Sequence, residues 1–69
     1  MTKTQIQTQR RAFLIRALSY QTKKHAFSAH ESNAVYRTAI SAADNGSSMA
    51  TAYQIGKKTL QIILWEQNQ

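Results

Sequence analysis

Apolar residues recur along this chain at helical spacing, in three segments separated by short polar stretches. In the first, from about Thr4 to about Lys24, a rotation of about 100° per residue gathers most apolar residues on one side. They are Ile6, Phe13, Leu14, Ala17, Leu18 and Tyr20. Proline, which breaks helices, is absent from the chain. The pattern predicts one long amphipathic helix.

A helix-capping signal precedes the second segment. Ser28 and Glu31 have the spacing of a capping box, in which each side chain bonds the other's free backbone N–H. The apolar face that follows consists of Val35, Tyr36, Ala39, Ile40 and Ala43. Gly46 suits the left-handed position just past a helix end, and Ser47 or Ser48 can cap a third helix.

The third segment, from Met49 to about Gln67, is compatible with three structures. One unbroken helix has a continuous apolar stripe, which consists of Met49, Ala52, Tyr53, Gly56, Leu60, Ile63 and Leu64. Its opposite face then carries Ile55, Ile62 and Trp65. Two helices broken at Gly56 would bury those three residues instead. A strand over residues 59–67 is the third possibility, but it has no obvious mate, so the helical interpretations are preferred.

These segments predict an all-α fold, a compact bundle of three or four helices in one domain over residues 1–69. Folding at this size buries only roughly 60% of the surface that the unfolded chain exposes. Cysteine is absent, so disulfides cannot add stability, and a homodimer is expected instead. Its expected contact residues are Ile55, Ile62 and Trp65. The longest apolar run spans residues 62–65, and neither a membrane helix nor a secretion signal is predicted. A cytoplasmic location is therefore expected.

Positive charge is concentrated near the N-terminus. Six of the nine Lys and Arg residues lie in the first 24 positions, a stretch without Asp or Glu, and the formal net charge is +6. Such a one-sided field attracts anions over about 8 Å at physiological salt. The predicted partner is therefore nucleic acid or an acidic protein surface. The candidate phosphate-binding residues of the first helix are Arg10, Arg11, Arg16, Lys23 and Lys24.

Catalysis has little support in the sequence. The chain has three carboxylates, two histidines and no cysteine. Neither His25 nor His30 has an orienting acid or a second ligand at a spacing typical of catalytic or metal sites. We therefore expect no enzyme activity, no metal and no cofactor.

The broken interpretation of the third segment contains one motif. Ala52 precedes Gly56 by four positions, and Ile62 and Trp65 follow that glycine by six and nine. Over residues 48–66 this spacing resembles the helix-turn-helix unit of small phage-type DNA-binding regulators, in which the glycine forms the turn. The resemblance implies a recognition helix after the turn, with base-reading residues Lys57, Lys58, Thr59 and Gln61.

Two features depart from that family's pattern. Lys57 occupies a position that is usually aliphatic and buried. Leu60, Ile63 and Leu64 occupy positions on the recognition helix that are usually polar. An unbroken helix through Gly56 would remove the groove-reading helix.

Two functions of different classes follow from these patterns. The first is a small basic DNA-binding regulatory protein of phage or mobile-element type. The second is a small phage-type inhibitor that binds and blocks an acidic surface of another protein, such as a nuclease or a bacterial defence complex. The second rests on size and charge, by analogy. A continuous helix through Gly56 would favour the protein partner.

Overall fold

A computed structural model describes residues 2–69 as three α-helices: α1 (Lys3–Lys24), α2 (Ala29–Asp44) and α3 (Met49–Gln67). Each helix packs against both others, and the bundle is elongated, at 45 × 18 × 16 Å. No strand occurs among the described residues. The predicted all-α fold is confirmed, as a bundle of three helices.

Each helix begins at a hydroxyl side chain that accepts a backbone N–H from the first turn. The capping residues are Thr2, Ser28 and Ser48. Glu31 completes the predicted capping box, since its carboxylate accepts the Ser28 backbone N–H at 2.9 Å. These contacts satisfy donors that a helix start otherwise leaves without partners. The starts of α2 and α3 therefore follow the predicted capping signals.

The two turns close their helices in the same way. In each turn a residue of positive φ follows the last helical turn, and the next backbone N–H reaches back five residues to a carbonyl. That residue is Gly46 after α2, at φ 98°, and Ala26 after α1, at φ 55°. The reach-back bonds run from Ser47 to Ala42 and from Phe27 to Thr22. Glycine fits this left-handed position without steric cost, whereas alanine does not.

The core is small and made largely of small side chains. Its buried apolar residues are Leu14 and Leu18 from α1, Val35, Ala39 and Ala43 from α2, and Ala52 and Leu60 from α3. Two hydroxyl contacts join the helices beside them. Thr22 and Tyr36 link α1 to α2 at 3.1 Å, and Thr38 and Thr59 link α2 to α3 at 2.9 Å. No buried side-chain polar atom among residues 2–69 lacks a partner.

α3 runs unbroken through Gly56, so the turn that the helix-turn-helix interpretation places there does not form. The glycine has a packing role instead. A Cβ atom added to it would lie 2.6 Å from Leu18 Cδ1 and 3.1 Å from Ala39 Cβ. Gly56 is therefore a point where α1 and α2 both pack closely against α3. The continuous stripe predicted for an unbroken helix is the one that packs inward, with Ala52, Gly56 and Leu60 buried.

Several large residues predicted to be buried are exposed. On α1 only Leu14 and Leu18 of the predicted apolar side reach full burial, because α1 meets the other helices along one narrow line. Phe13 is 59% exposed and Tyr20 is 69% exposed. Trp65 is 65% exposed, since it points away from the bundle on the outer face of α3. The broken interpretation of the third segment, which would bury Trp65 within the chain, is therefore wrong on this point.

The far end of the bundle is closed by a polar contact between α2 and α3. Gln67 near the end of α3 donates a 2.6 Å hydrogen bond to the Glu31 carboxylate at the start of α2. The pKa of Glu31 is lowered from its usual range, first by the hydrogen bond from the Ser28 backbone and then by that from Gln67. Both contacts favour the ionised carboxylate. Folding is thereby linked to the charge of this residue.

Exchanging glycine and alanine between the two turns tests their geometry. Ala26→Gly should raise the free energy of unfolding by about 0.5–1 kcal/mol, because it relieves a left-handed alanine at some cost in unfolded-chain entropy. Gly46→Ala, the matched control, should lower it by a similar amount. Urea denaturation of the three proteins measures both changes. A loss of stability in Ala26→Gly would contradict the assigned backbone.

Adding a methyl group at position 56 tests the close approach of the helices. Gly56→Ala should lower the free energy of unfolding by about 1–2 kcal/mol, since overpacking outweighs the roughly 1 kcal/mol gained in helix propensity. In a Leu18→Val background, which removes both leucine Cδ atoms, the same change should cost less. Thermal and urea unfolding of the four proteins completes this double-mutant cycle. Stabilisation by Gly56→Ala in the wild-type background would show that the site is not tightly packed.

Acid titration tests the role of Glu31. Because its pKa is lower in the folded chain, its contribution is fully present above the unfolded pKa of about 4.3 and is lost as the pH falls through the lower folded value. Glu31→Gln retains a capping amide but cannot titrate, so its melting temperature should fall less between pH 5 and pH 2, a window set about that pKa. If the melting temperatures of the two proteins fall equally with pH, Glu31 does not contribute to the pH dependence of folding.

Candidate functional site

An apolar groove lies on the surface where α1 and α3 meet. Phe13 and Ala17 line it from α1, and Met49, Ala50 and Tyr53 line it from α3. The first turns of α3 lie beside the middle of α1 at this groove. We call these five residues the aromatic groove.

The α1 edge of the aromatic groove extends along the helix in both directions. Ile6, Phe13 and Tyr20 recur at intervals of seven residues, which places them on one side of α1. All three are exposed. This stripe lies beside the line of Leu14 and Leu18 that packs into the core, so α1 carries two apolar stripes and buries one.

Cations border the aromatic groove. Lys57 Nζ lies 5.8 Å from the centre of the Tyr53 ring, within the range of a cation–π contact. Arg10 lies three residues before Phe13 on the same side of α1, whereas Lys24 lies four residues after Tyr20, beyond the groove along the exposed stripe. Both are exposed. The groove therefore combines aromatic side chains with positive charge at its edges.

None of the three acidic residues lines this groove. Asp44 forms an ion pair with Arg11 on the α2 side of α1, in which the guanidinium donates a 2.7 Å hydrogen bond to the carboxylate. That hydrogen bond, and then the charge of Asp44, raise the pKa of Arg11 from its ordinary value. Glu31 caps α2. Glu66 lies about 140° around α3 from Tyr53 by helical rotation. The cations beside the groove, Arg10 and Lys57, make no ion pair within residues 2–69.

The residues predicted to bind DNA are not brought together on one surface. Arg16 and Lys23 are exposed on the outer side of α1, whereas Arg11 is engaged by Asp44. On α3, Lys58 and Gln61 are exposed. Thr59 is half-buried and bonded to Thr38, so it cannot read a base.

The predicted base-reading segment is also not a helix start. Residues 57–61 lie in the middle of α3, so their backbone N–H groups are used within the helix. A recognition helix presents its N-terminal residues to the major groove, and this segment has no such end. Lys57 and Lys58 are side chains on a continuous helix.

The outer face of α3 carries the three residues predicted for a dimer contact. Ile62 is 53% exposed, and Ile55 and Trp65 are also exposed. They lie on the opposite side of α3 from the buried stripe of Ala52, Gly56 and Leu60. The structure thus leaves this face accessible on the single chain.

No metal centre or membrane helix is found in the part of the chain that the structure describes. Residues 2–69 contain no group of three His, Cys, Asp or Glu side chains that could hold a metal ion. None of the helices over those residues has the length and apolar character needed to cross a bilayer. His30 is exposed, and the His25 ring lies 5.9 Å from that of Phe27 in a tilted arrangement.

The sequence patterns did not predict the aromatic groove as a site. Helical spacing places Phe13 and Tyr20 on the same apolar side as Leu14 and Leu18. The seven-residue spacing of Ile6, Phe13 and Tyr20 is the signal that separates the two stripes. Recognising that the second stripe is exposed required the position of α3.

Comparisons with protein-family models, curated proteins and solved structures find no match for this chain in any of the three.

Proposed function

We propose that this chain is a small non-catalytic binding protein that attaches to an acidic surface of another protein through the aromatic groove. The observation that carries the proposal is the groove itself: exposed Phe13 and half-buried Tyr53 beside cations that make no ion pair within the described chain. Blocking that surface is the expected effect on the partner.

Aromatic side chains and arginine are the residue types enriched in protein contacts. Tyr and Arg are enriched at binding hot spots, where large side chains are desolvated in pockets. Phe13 and Tyr53 provide the apolar area, and Arg10 and Lys57 provide attraction to carboxylates around it. Complementary charge also accelerates encounter with an acidic partner.

The continuity of α3 favours a protein partner over sequence-specific DNA. Without a helix start at residues 57–61, the chain has no element that presents a base-reading end to the major groove. An apolar groove adds nothing to contacts with duplex phosphates, which are made by cations and hydrogen-bond donors.

One observation supports a second candidate function, non-specific binding to nucleic acid. Arg16 and Lys23 are exposed on the outer side of α1, and by helical rotation both lie about 120–140° from Arg11. Asp44, which pairs with Arg11, is therefore not beside them. Such cations can track phosphates without reading sequence. This activity would depend on salt and would not involve the groove.

A matched pair of substitutions in the groove tests the leading proposal. Ala50 is exposed on the groove wall, so Ala50→Glu places an acid there and Ala50→Lys places a cation of comparable length. Fluorescence anisotropy would measure binding to a labelled amphipathic helical peptide with glutamates flanking an apolar face. Ala50→Glu should weaken binding about tenfold or more, which corresponds to about 1.4 kcal/mol, whereas Ala50→Lys should not weaken it.

A duplex DNA titration separates the two candidate functions. The Arg16→Gln/Lys23→Gln protein should bind the acidic peptide nearly as wild type does but should lose most of its salt-dependent DNA binding. Both variants change exposed residues, and circular dichroism checks the fold. If Ala50→Glu and Ala50→Lys bind the peptide with equal affinity, and the wild-type chain binds DNA more tightly than the peptide, the protein-binding proposal is wrong.

A further inference from the structure

The outer face of α3 has the spacing of a helix-pairing seam. Ile55, Lys58, Ile62 and Trp65 follow one another at intervals of three, four and three residues, which is the repeat by which paired helices keep one seam together. Trp65 and the two isoleucines are exposed. Exposed apolar patches of this kind mark partner surfaces on small proteins.

Two opposite charges on this face, one within the seam and one beside it, are arranged symmetrically about Ile62. Lys58 precedes Ile62 by four residues, and Glu66 follows it by four. Each therefore lies about one helical turn from Ile62, in opposite directions. Neither side chain has an ion pair or hydrogen bond within residues 2–69, whereas Glu31 and Asp44 are both engaged. Glu66 is thus the one carboxylate in the described chain without such a partner.

Reversing the helix about Ile62 exchanges the positions of Lys58 and Glu66. In an antiparallel pair of α3 helices related by a two-fold axis at Ile62, each Lys58 would face Glu66 of the second copy. Trp65 of one copy would lie toward Ile55 of the other. A parallel pair would instead place the two Lys58 side chains together, which like-charge repulsion disfavours. The face is therefore self-complementary in one orientation only.

We propose that two copies of this chain form an antiparallel dimer through α3, with a two-fold axis at Ile62 and reciprocal Lys58–Glu66 pairs. Such an interface is isologous, with the same surface used by both copies. It covers Ile55, Ile62 and Trp65 in each copy, the large apolar residues that the single chain leaves exposed on this face.

The positions of the other helices are compatible with this dimer. α1 packs on the side of α3 that carries Tyr53 and Leu60, which is roughly opposite the seam by helical rotation. The basic residues of α1 are consequently kept away from the contact. Repulsion between two chains of charge +6 is then reduced by distance and screened by salt.

Charge reversal tests the reciprocal pairs. Lys58→Glu would bring two carboxylates together at each pair, and Glu66→Lys would bring two cations together. Because like charges repel, each single variant should shift sedimentation equilibrium toward the 7.8 kDa monomer. The Lys58→Glu/Glu66→Lys double variant restores both pairs and should return to twice that mass. Circular dichroism checks the fold of every variant. Failure of the double variant to recover, with its helix content intact, would overturn the assigned pairing.

Single cysteines test the orientation, because the chain has no cysteine of its own. A cysteine at the two-fold axis lies beside the same cysteine of the second copy, so Ile62→Cys should form an intermolecular disulfide rapidly on mild oxidation. Ile55→Cys, the matched control, should not, since an antiparallel pair places the two copies of residue 55 far apart. Efficient cross-linking through residue 55 would instead establish a parallel pair and overturn the proposal.

Trp65 provides a readout that needs no substitution. It is the only tryptophan in the chain, so its fluorescence reports on this face alone. Dilution across the dissociation constant should move its emission to longer wavelength as the ring becomes exposed, in parallel with the fall in mass. A wild-type protein that stays monomeric at millimolar concentration would show that the face serves a different partner.

Discussion

The close approach of the three helices at Gly56 determines much of the rest of this structure. Leu18, Ala39 and Gly56 meet where a single added Cβ would lie 2.6 Å from its neighbour. Helices that approach this closely need small residues at the contact, and two of the five other buried core residues, Ala43 and Ala52, are alanines. Interhelical distance follows from these side chains, so the bundle is narrow and its interior has room for few large residues.

The exposed apolar residues follow from that narrow interior. Phe13, Tyr20, Ile62 and Trp65 cannot fit between helices spaced by alanine and glycine, so they lie on the outside of α1 and α3. The chain uses two of its three acids within the fold, at Asp44 and Glu31. Most of its cations are left with no internal partner. Apolar surface and positive charge thus remain available together on a protein of this size.

The sequence was sufficient to predict the fold because the governing signals are local. The Ser28–Glu31 capping box, the left-handed Gly46 and the helical spacing of apolar residues act within a few positions of one another. Gly56 could not be assigned in the same way, since glycine serves either a turn or a close contact. Only the identity of its neighbours, Leu18 and Ala39, distinguishes the two roles. The aromatic groove likewise depends on where α3 lies relative to Phe13.

The two short turns have a kinetic consequence. Each joins helices that are neighbours both in sequence and in space, so most contacts close small loops and carry a low entropic cost. Helical bundles of this topology reach the native state in about microseconds to milliseconds. Two side-chain hydrogen bonds join α2 to α3 without involving α1: one between the Thr38 and Thr59 hydroxyls and one between Gln67 and Glu31. The α2–α3 hairpin can therefore form as a template onto which Leu14 and Leu18 of α1 dock.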